Sequence, residues 1–153
     1  MNEHPWDELV AIYSEAERGF KDRIPRAATD DDIAVMLERA ELEGLFVPPS
    51  YVEFLRVRNG ASFNGLMLYG ANISKNDSFR RQDLVEMNQF QLNRTNETVL
   101  GTNDQDAFVV VGGDGPYRRL EGVSWDVLEE FATCDQLLVS IFSHEAESLN
   151  DDQ

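Results

Sequence analysis

The sequence predicts an α+β domain, a small antiparallel sheet of about four to six strands with helices before and after it. Three observations carry this. Apolar residues recur at three- and four-residue spacing through the first sixty positions. Between about 65 and 123 the period changes to short apolar runs bounded by Gly, Asn and Asp, and toward the end helical spacing returns. No internal repeat or interdomain linker interrupts the 153 residues, so one domain is expected.

The first helix is expected from about Pro5 to Gly19, with Trp6, Leu9, Val10, Tyr13 and Ala16 on one stripe and Pro5 suited to a first helical position. A polar connection from Lys21 to Ala28 completes an N-terminal segment, 1–28. Thr29 caps the second helix, and Asp30, Asp31 and Asp32 favour the positive end of its dipole. Ile33, Met36, Leu37, Ala40 and Leu42 form its apolar stripe, and Gly44 ends it as a left-handed cap. Pro48 forces extended backbone on Val47, while Pro49 opens a short helix carrying Tyr51, Phe54, Leu55 and Arg58. Asn59-Gly60 stops that helix.

Beyond Gly60, the run Gly65-Leu66-Met67-Leu68-Tyr69-Gly70 reads as a strand. Residues 79–92, with Phe79, Leu84, Met87, Phe90 and Leu92, read as a further helix. Thr98–Leu100, Ala107–Val111 and Tyr117–Val123 read as strands joined by turns at Asn103–Asp106 and Gly112–Pro116. Two helices are expected to close the chain. Ser124 caps the first, with Trp125, Leu128 and Phe131 facing inward. Thr133 and Gln136 form a capping box for the second, which carries Leu137, Leu138, Ile141 and Phe142. From Glu145 onward an acidic tail, 145–153, is expected to fray.

Charge narrows the function. The chain holds 29 acidic and 13 basic side chains, a formal −16. Such a field repels phosphate backbones and anionic lipid, which argues against direct nucleic-acid binding and against membrane docking. No stretch approaches the roughly 20 apolar residues of a membrane-spanning helix. The N-terminus lacks the basic head and apolar run of a signal peptide, and Cys134 is the single cysteine. A reducing, cytoplasmic location is therefore expected. The charge is also lopsided: residues 1–94 hold 16 acids and 11 bases, whereas 95–153 hold 13 acids and only Arg118 and Arg119. The plain reading is a solvated acidic surface; the sharper one is a surface built to meet a basic partner.

Little in the sequence supports catalysis. Cys134 needs a nearby base, and only His4 and His144 exist. On one helix Cys134 and His144 would stand about 15 Å apart along the axis, so Cys134 is expected as a half-buried structural residue and His144 as a surface one. Asp30-Asp31-Asp32 and Asp104-x-Asp106 lack the ligand series and closing Glu of a calcium loop. Gly112-Gly113-Asp114-Gly115 leads into a strand, where a phosphate loop would lead into a helix. No metal, no cofactor and no catalytic residue are expected.

Pro48-Pro49-Ser50-Tyr51-Val52-Glu53-Phe54-Leu55 followed by Asn59-Gly60 resembles the signature of the SUKH superfamily, with Val47 where Leu or Ile is usual. Residues 65–70, 99–101, 106–109, Tyr117 and Trp125 to Phe131 resemble the family's strands and closing helix, so the likeness covers roughly residues 35–142. The YrhA-type branch is similar. The resemblance implies the SUKH fold and an immunity protein that binds and neutralises a cognate protein toxin, such as a nuclease. Its alternative is a non-catalytic regulatory or scaffold module of the fungal cell-wall-regulator kind. The motif itself reads as architecture: Pro49 starts a helix, Tyr51, Phe54 and Leu55 pack it, and Gly60 permits the exit. Candidate partner-binding residues come instead from the acidic half. They are the turn acids Asp104, Asp106 and Asp114, with Glu121, Asp126, Glu129 and Glu130 around the last strand and the helix expected after it.

Overall fold

A computed structural model describes residues 3–21, 24–78, 80–90 and 96–151. Among the described residues, five helices and six strands follow in the order α1 (Asp7–Lys21), α2 (Asp30–Leu42), α3 (Pro49–Val57), β1 (Ala61–Phe63), β2 (Leu66–Leu68), α4 (Leu84–Gln89), β3 (Glu97–Thr102), β4 (Asp106–Val111), β5 (Tyr117–Glu121), β6 (Val127–Phe131) and α5 (Cys134–Asp151). The strands form one open antiparallel sheet in chain order, with β1 and β6 at its edges. The fold is α+β.

Local chemistry sets the early helices. The Asp7 carboxylate accepts the His4 N–H at 2.8 Å, so α1 starts at Asp7, two residues beyond Pro5. In α2, Thr29 Oγ1 accepts the Asp32 N–H and the Asp32 carboxylate accepts the Thr29 N–H, both at 3.0 Å. That is a capping box with Asp in place of Glu. Ile33, Met36 and Ala40 are buried, whereas Leu37 and Leu42 of the expected stripe are exposed. Gly44 takes the left-handed backbone, φ +69°, that a chain reversal there requires.

α1, α3 and α5 meet in an aromatic centre. Phe142 of α5 lies 5.3 Å from the ring of Tyr13 and 5.7 Å from that of Phe54, and Trp6 meets Phe54 edge-on at 5.5 Å. Such pairs add about 0.5–1.5 kcal/mol each beyond the area they bury. The Trp6 indole N–H donates to Asp135 at 3.0 Å, tying the start of α1 to the start of α5.

The Pro48-to-Gly60 segment works as a clamp between helices and sheet. The buried Tyr51 hydroxyl reaches the carbonyls of Tyr69 and Leu100. The Asn59 amide donates to the Ala71 carbonyl at 2.9 Å and its carbonyl accepts the Ala71 N–H at 2.7 Å, copying a strand pair with a side chain. At Gly60, φ +94°, a Cβ would approach the Leu68 carbonyl to 2.7 Å, so a side chain is excluded there.

Four expectations change. The strand expected at 65–70 forms as β2, but it is one arm of a hairpin with an unexpected strand, β1, turning on Asn64-Gly65, both with positive φ. The helix expected at 79–92 shortens to α4, because Asp83 caps it at the Glu86 N–H, 3.0 Å away. Phe79 and Leu92 lie outside the described residues. Asn88 of α4 donates to the Val99 carbonyl and accepts its N–H, at 2.9 and 2.8 Å, satisfying β3 beyond the end of β2.

The third change is the largest. No helix follows Ser124; Val127–Phe131 is strand β6, hydrogen-bonded to β5. Spacing of three among Trp125, Leu128 and Phe131 suits a helix, but cross-strand chemistry overrides it. Arg118 meets Glu130 at 2.9 Å and Arg119 meets Glu129 at 2.5 Å. The Glu121 carboxylate accepts the N–H groups of Val123 and Ser124, and Trp125 sits in left-handed backbone, φ +65°. Ser124 Oγ accepts the Asp126 N–H in a turn and starts no helix. Trp125 and Phe131 do pack partly against the core, while Leu128 stands half exposed beside an irregularity in register.

The fourth concerns the end of the chain. Thr133 Oγ1 accepts the Gln136 N–H at 3.2 Å as expected, but the Gln136 side chain reaches back to the Ala132 N–H, one residue short of a capping box. α5 then continues to Asp151, so no frayed tail begins at Glu145, which is buried.

Candidate functional site

Successive turns of an antiparallel sheet built in chain order lie alternately at its two ends. The β3–β4 and β5–β6 turns therefore share one end, and the β4–β5 turn occupies the other. The Gly122 N–H donates to the Gln105 carbonyl at 2.8 Å and joins the two like-ended turns. This brings Asp104, Asp106, Glu121 and Asp126 to one end of the sheet. Asp114 is set apart at the opposite end, where it accepts the Tyr117 hydroxyl at 3.3 Å. Glu129 and Glu130 lie along β6; the helix expected beside them is that strand.

Between the two turns lies an open groove of about 710 Å³. Asp104, Asp106 and Glu121 supply its charge; Val123, Trp125 and Leu128 supply its apolar wall. Val123 is 95% exposed, and Val127 and Leu128 are each 52% exposed. The Trp125 indole N–H donates to Glu97 at 3.0 Å and anchors the turn on β3.

The acids are not equivalent. Arg119 stands between Glu129, at 2.5 Å, and Asp106, at 3.7 Å, which offsets charge on both. Glu130 is held by Arg118. Backbone N–H donors from Ser124 and Val123 hold the Glu121 carboxyl below the usual carboxylate range, so it stays ionised while it braces the turn. Asp104 and Asp126 are exposed and lie nearest the turn tips. Four acids, of which Asp106 alone lies near an arginine, Arg119, leave this end of the sheet strongly negative.

Sequence reasoning missed Glu145. It lies on α5 facing the β1–β2 turn, 8% exposed, with the Asn64 amide 3.4 Å from its Oε1. Burial, aided by the nearby charge of Asp104, pushes its carboxyl up to about 7. The signal was available: Leu138, Ile141, Phe142 and Glu145 continue one helical stripe.

Cys134 is fully buried, more so than expected, and burial pushes its thiol up, away from the reactive thiolate. His144 is exposed on α5, ten residues further along, with Nε2 3.5 Å from Arg119. Among the described residues no group of three His, Cys, Asp or Glu side chains is placed to hold a metal ion, and no helix is long and apolar enough to cross a membrane. No protein-family model matches the chain, and no curated protein matches it.

Proposed function

We propose that this chain is an immunity protein, a cytoplasmic, non-catalytic binder that neutralises a cognate protein toxin by covering its basic site. The observation that supports this reading is the joint placement of Asp104, Asp106, Glu121 and Asp126 by two turns at one end of the sheet, beside exposed Val123 and Leu128. Apolar surface with a polar rim is the ordinary composition of a protein interface. A nuclease, whose substrate channel is basic, is the kind of toxin such a surface complements. Excess negative charge steers a basic partner and raises the rate of capture, which matters when damage begins on first contact. The resemblance of Pro48 to Gly60 to the SUKH signature supplies the toxin-immunity setting. Binding of this kind requires no cofactor.

Co-expression with a candidate cognate nuclease toxin tests the proposal. Cells making both survive, and cells making the toxin alone die. Death of cells that contain this protein in folded form overturns it. A partner that is bound firmly yet keeps its activity points to the regulatory or scaffold module instead.

A further inference from the structure

We propose that the outer edge of β6 docks an extended basic segment of the partner, which adds to the sheet as a seventh strand. The inference rests on the partner-binding reading above and names how the partner is held.

Among the described residues β6 is the last strand of the sheet, and its ladder runs to β5 alone. Its outer row of backbone N–H and C=O groups therefore faces away from the sheet. Natural edge strands are blunted by charged residues, lysine above all, by proline, by bulges or by extreme shortness. β6 has its one irregularity at Val127–Glu129, and Glu129–Phe131 pair regularly with β5. The opposite edge, β1, has three residues. β6 has five, Val127-Leu128-Glu129-Glu130-Phe131, with neither lysine nor proline. Val127 and Leu128 are consecutive yet both half exposed, which strict alternation forbids; the irregular register at this point turns two apolar side chains outward together. Backbone groups give affinity in strand addition, and alternate side chains give specificity.

Charge decides the occupant. A second copy pairing β6 to β6 would bring together two chains carrying −16 each, with Asp126 near its own duplicate and only Glu129 and Glu130 offset, by Arg119 and Arg118. Like charges directly opposite in a sheet are destabilising. A partner segment with Lys or Arg alternating with apolar residues sets its apolar side chains on the face of Val127 and Leu128 and its cations on the opposite face, with Asp126 and Glu129. Glu129 and Glu130 are already fixed on opposite faces by Arg119 and Arg118, so they lose little freedom on binding.

The test uses the full chain and a synthetic eight-residue peptide of alternating Lys and Val, labelled for fluorescence anisotropy. Binding is expected, with slowed amide exchange confined to residues 127–131. The same peptide N-methylated at alternate residues, on the edge that would pair, should bind about tenfold more weakly or worse, because the ladder cannot form. A Glu-Val peptide should not bind. The exposed substitution Leu128→Lys should weaken the Lys-Val peptide by a similar factor at unchanged melting temperature. Absence of binding, binding indifferent to N-methylation, or protection mapping outside β6 overturns the inference. So does a β6-protected dimer in sedimentation without peptide, which would make the occupant a second copy. Cells that still survive the toxin with Leu128→Lys and an unprotected β6 would sink this inference while leaving the immunity reading intact.

Discussion

The guanidinium of Arg58, just past the end of α3, lies 2.7 Å from the carboxylate of Glu17 in α1, and neither side chain reaches solvent. Arg58 Nε donates to the Gly60 carbonyl at 2.9 Å and Nη1 to Ser14 at 3.0 Å, with the guanidinium over the Tyr13 ring at 5.1 Å. The pair locks α1 onto the corner where helix α3 gives way to β1. A buried ion pair gains little over an apolar replacement, but half of one is costly.

Arg58→Met should therefore destabilise the fold by about 3–5 kcal/mol, by stranding the Glu17 charge. The double variant Arg58→Met with Glu17→Leu should regain much of that loss. Urea denaturation of the two variants checks this. A single variant losing under about 1 kcal/mol would mean water reaches Glu17.

Asn59→Ala should cost about 1–3 kcal/mol, since the Ala71 N–H and carbonyl lose their partners in a buried place. Partner binding by the folded fraction should not change, because Asn59 is itself buried. A melt paired with a binding titration distinguishes architecture from recognition. Weakened binding at unchanged stability would make the motif a contact site after all.

Glu145 should make stability depend on pH near neutrality. Its carboxyl is raised from 4.5 to about 7, so the folded chain holds that proton more tightly than the unfolded one. The resulting stabilisation is present below about 4.5 and is lost as pH rises through about 7. Glu145→Gln should thus stabilise the protein at pH 8 by about 1–2 kcal/mol, allowing for solvent screening, and flatten the profile between pH 5 and 8. Denaturation midpoints at several pH values read this directly; a variant with the wild-type slope would place the titration elsewhere.

Charge reversal should act by location. Asp104→Lys with Asp126→Lys should slow association with a basic partner roughly tenfold at low salt and weaken its salt dependence. Asp114→Lys, at the far end of the sheet, should do less, as should Asp30→Lys with Asp31→Lys on α2. Stopped-flow association across a salt series compares them. Equal rates for all three variants would reduce the acidic C-terminal half to a solvated surface.

The sequence by itself determined whatever closes over a few residues. Thr29 and Asp32 cap α2, Pro49 opens α3, Gly44 and Gly60 take positive φ, and Asn103–Asp106 and Gly112–Pro116 turn the chain between strands. Each of these is decided by a side chain or backbone limit acting within one turn, so a one-dimensional reading reaches it. Tertiary structure decided the rest. Residues 127–131 become a strand because Arg118 and Arg119, on the neighbouring strand, hold Glu130 and Glu129. α4 starts only where Asp83 caps it, and its Asn88 fills the open side of β3. Glu145 becomes a buried, proton-holding carboxyl because the Asn64 turn folds against it from 81 positions earlier. Local apolar spacing is compatible with more than one conformation at such places, and the choice is made by partners whose approach only the packed chain defines.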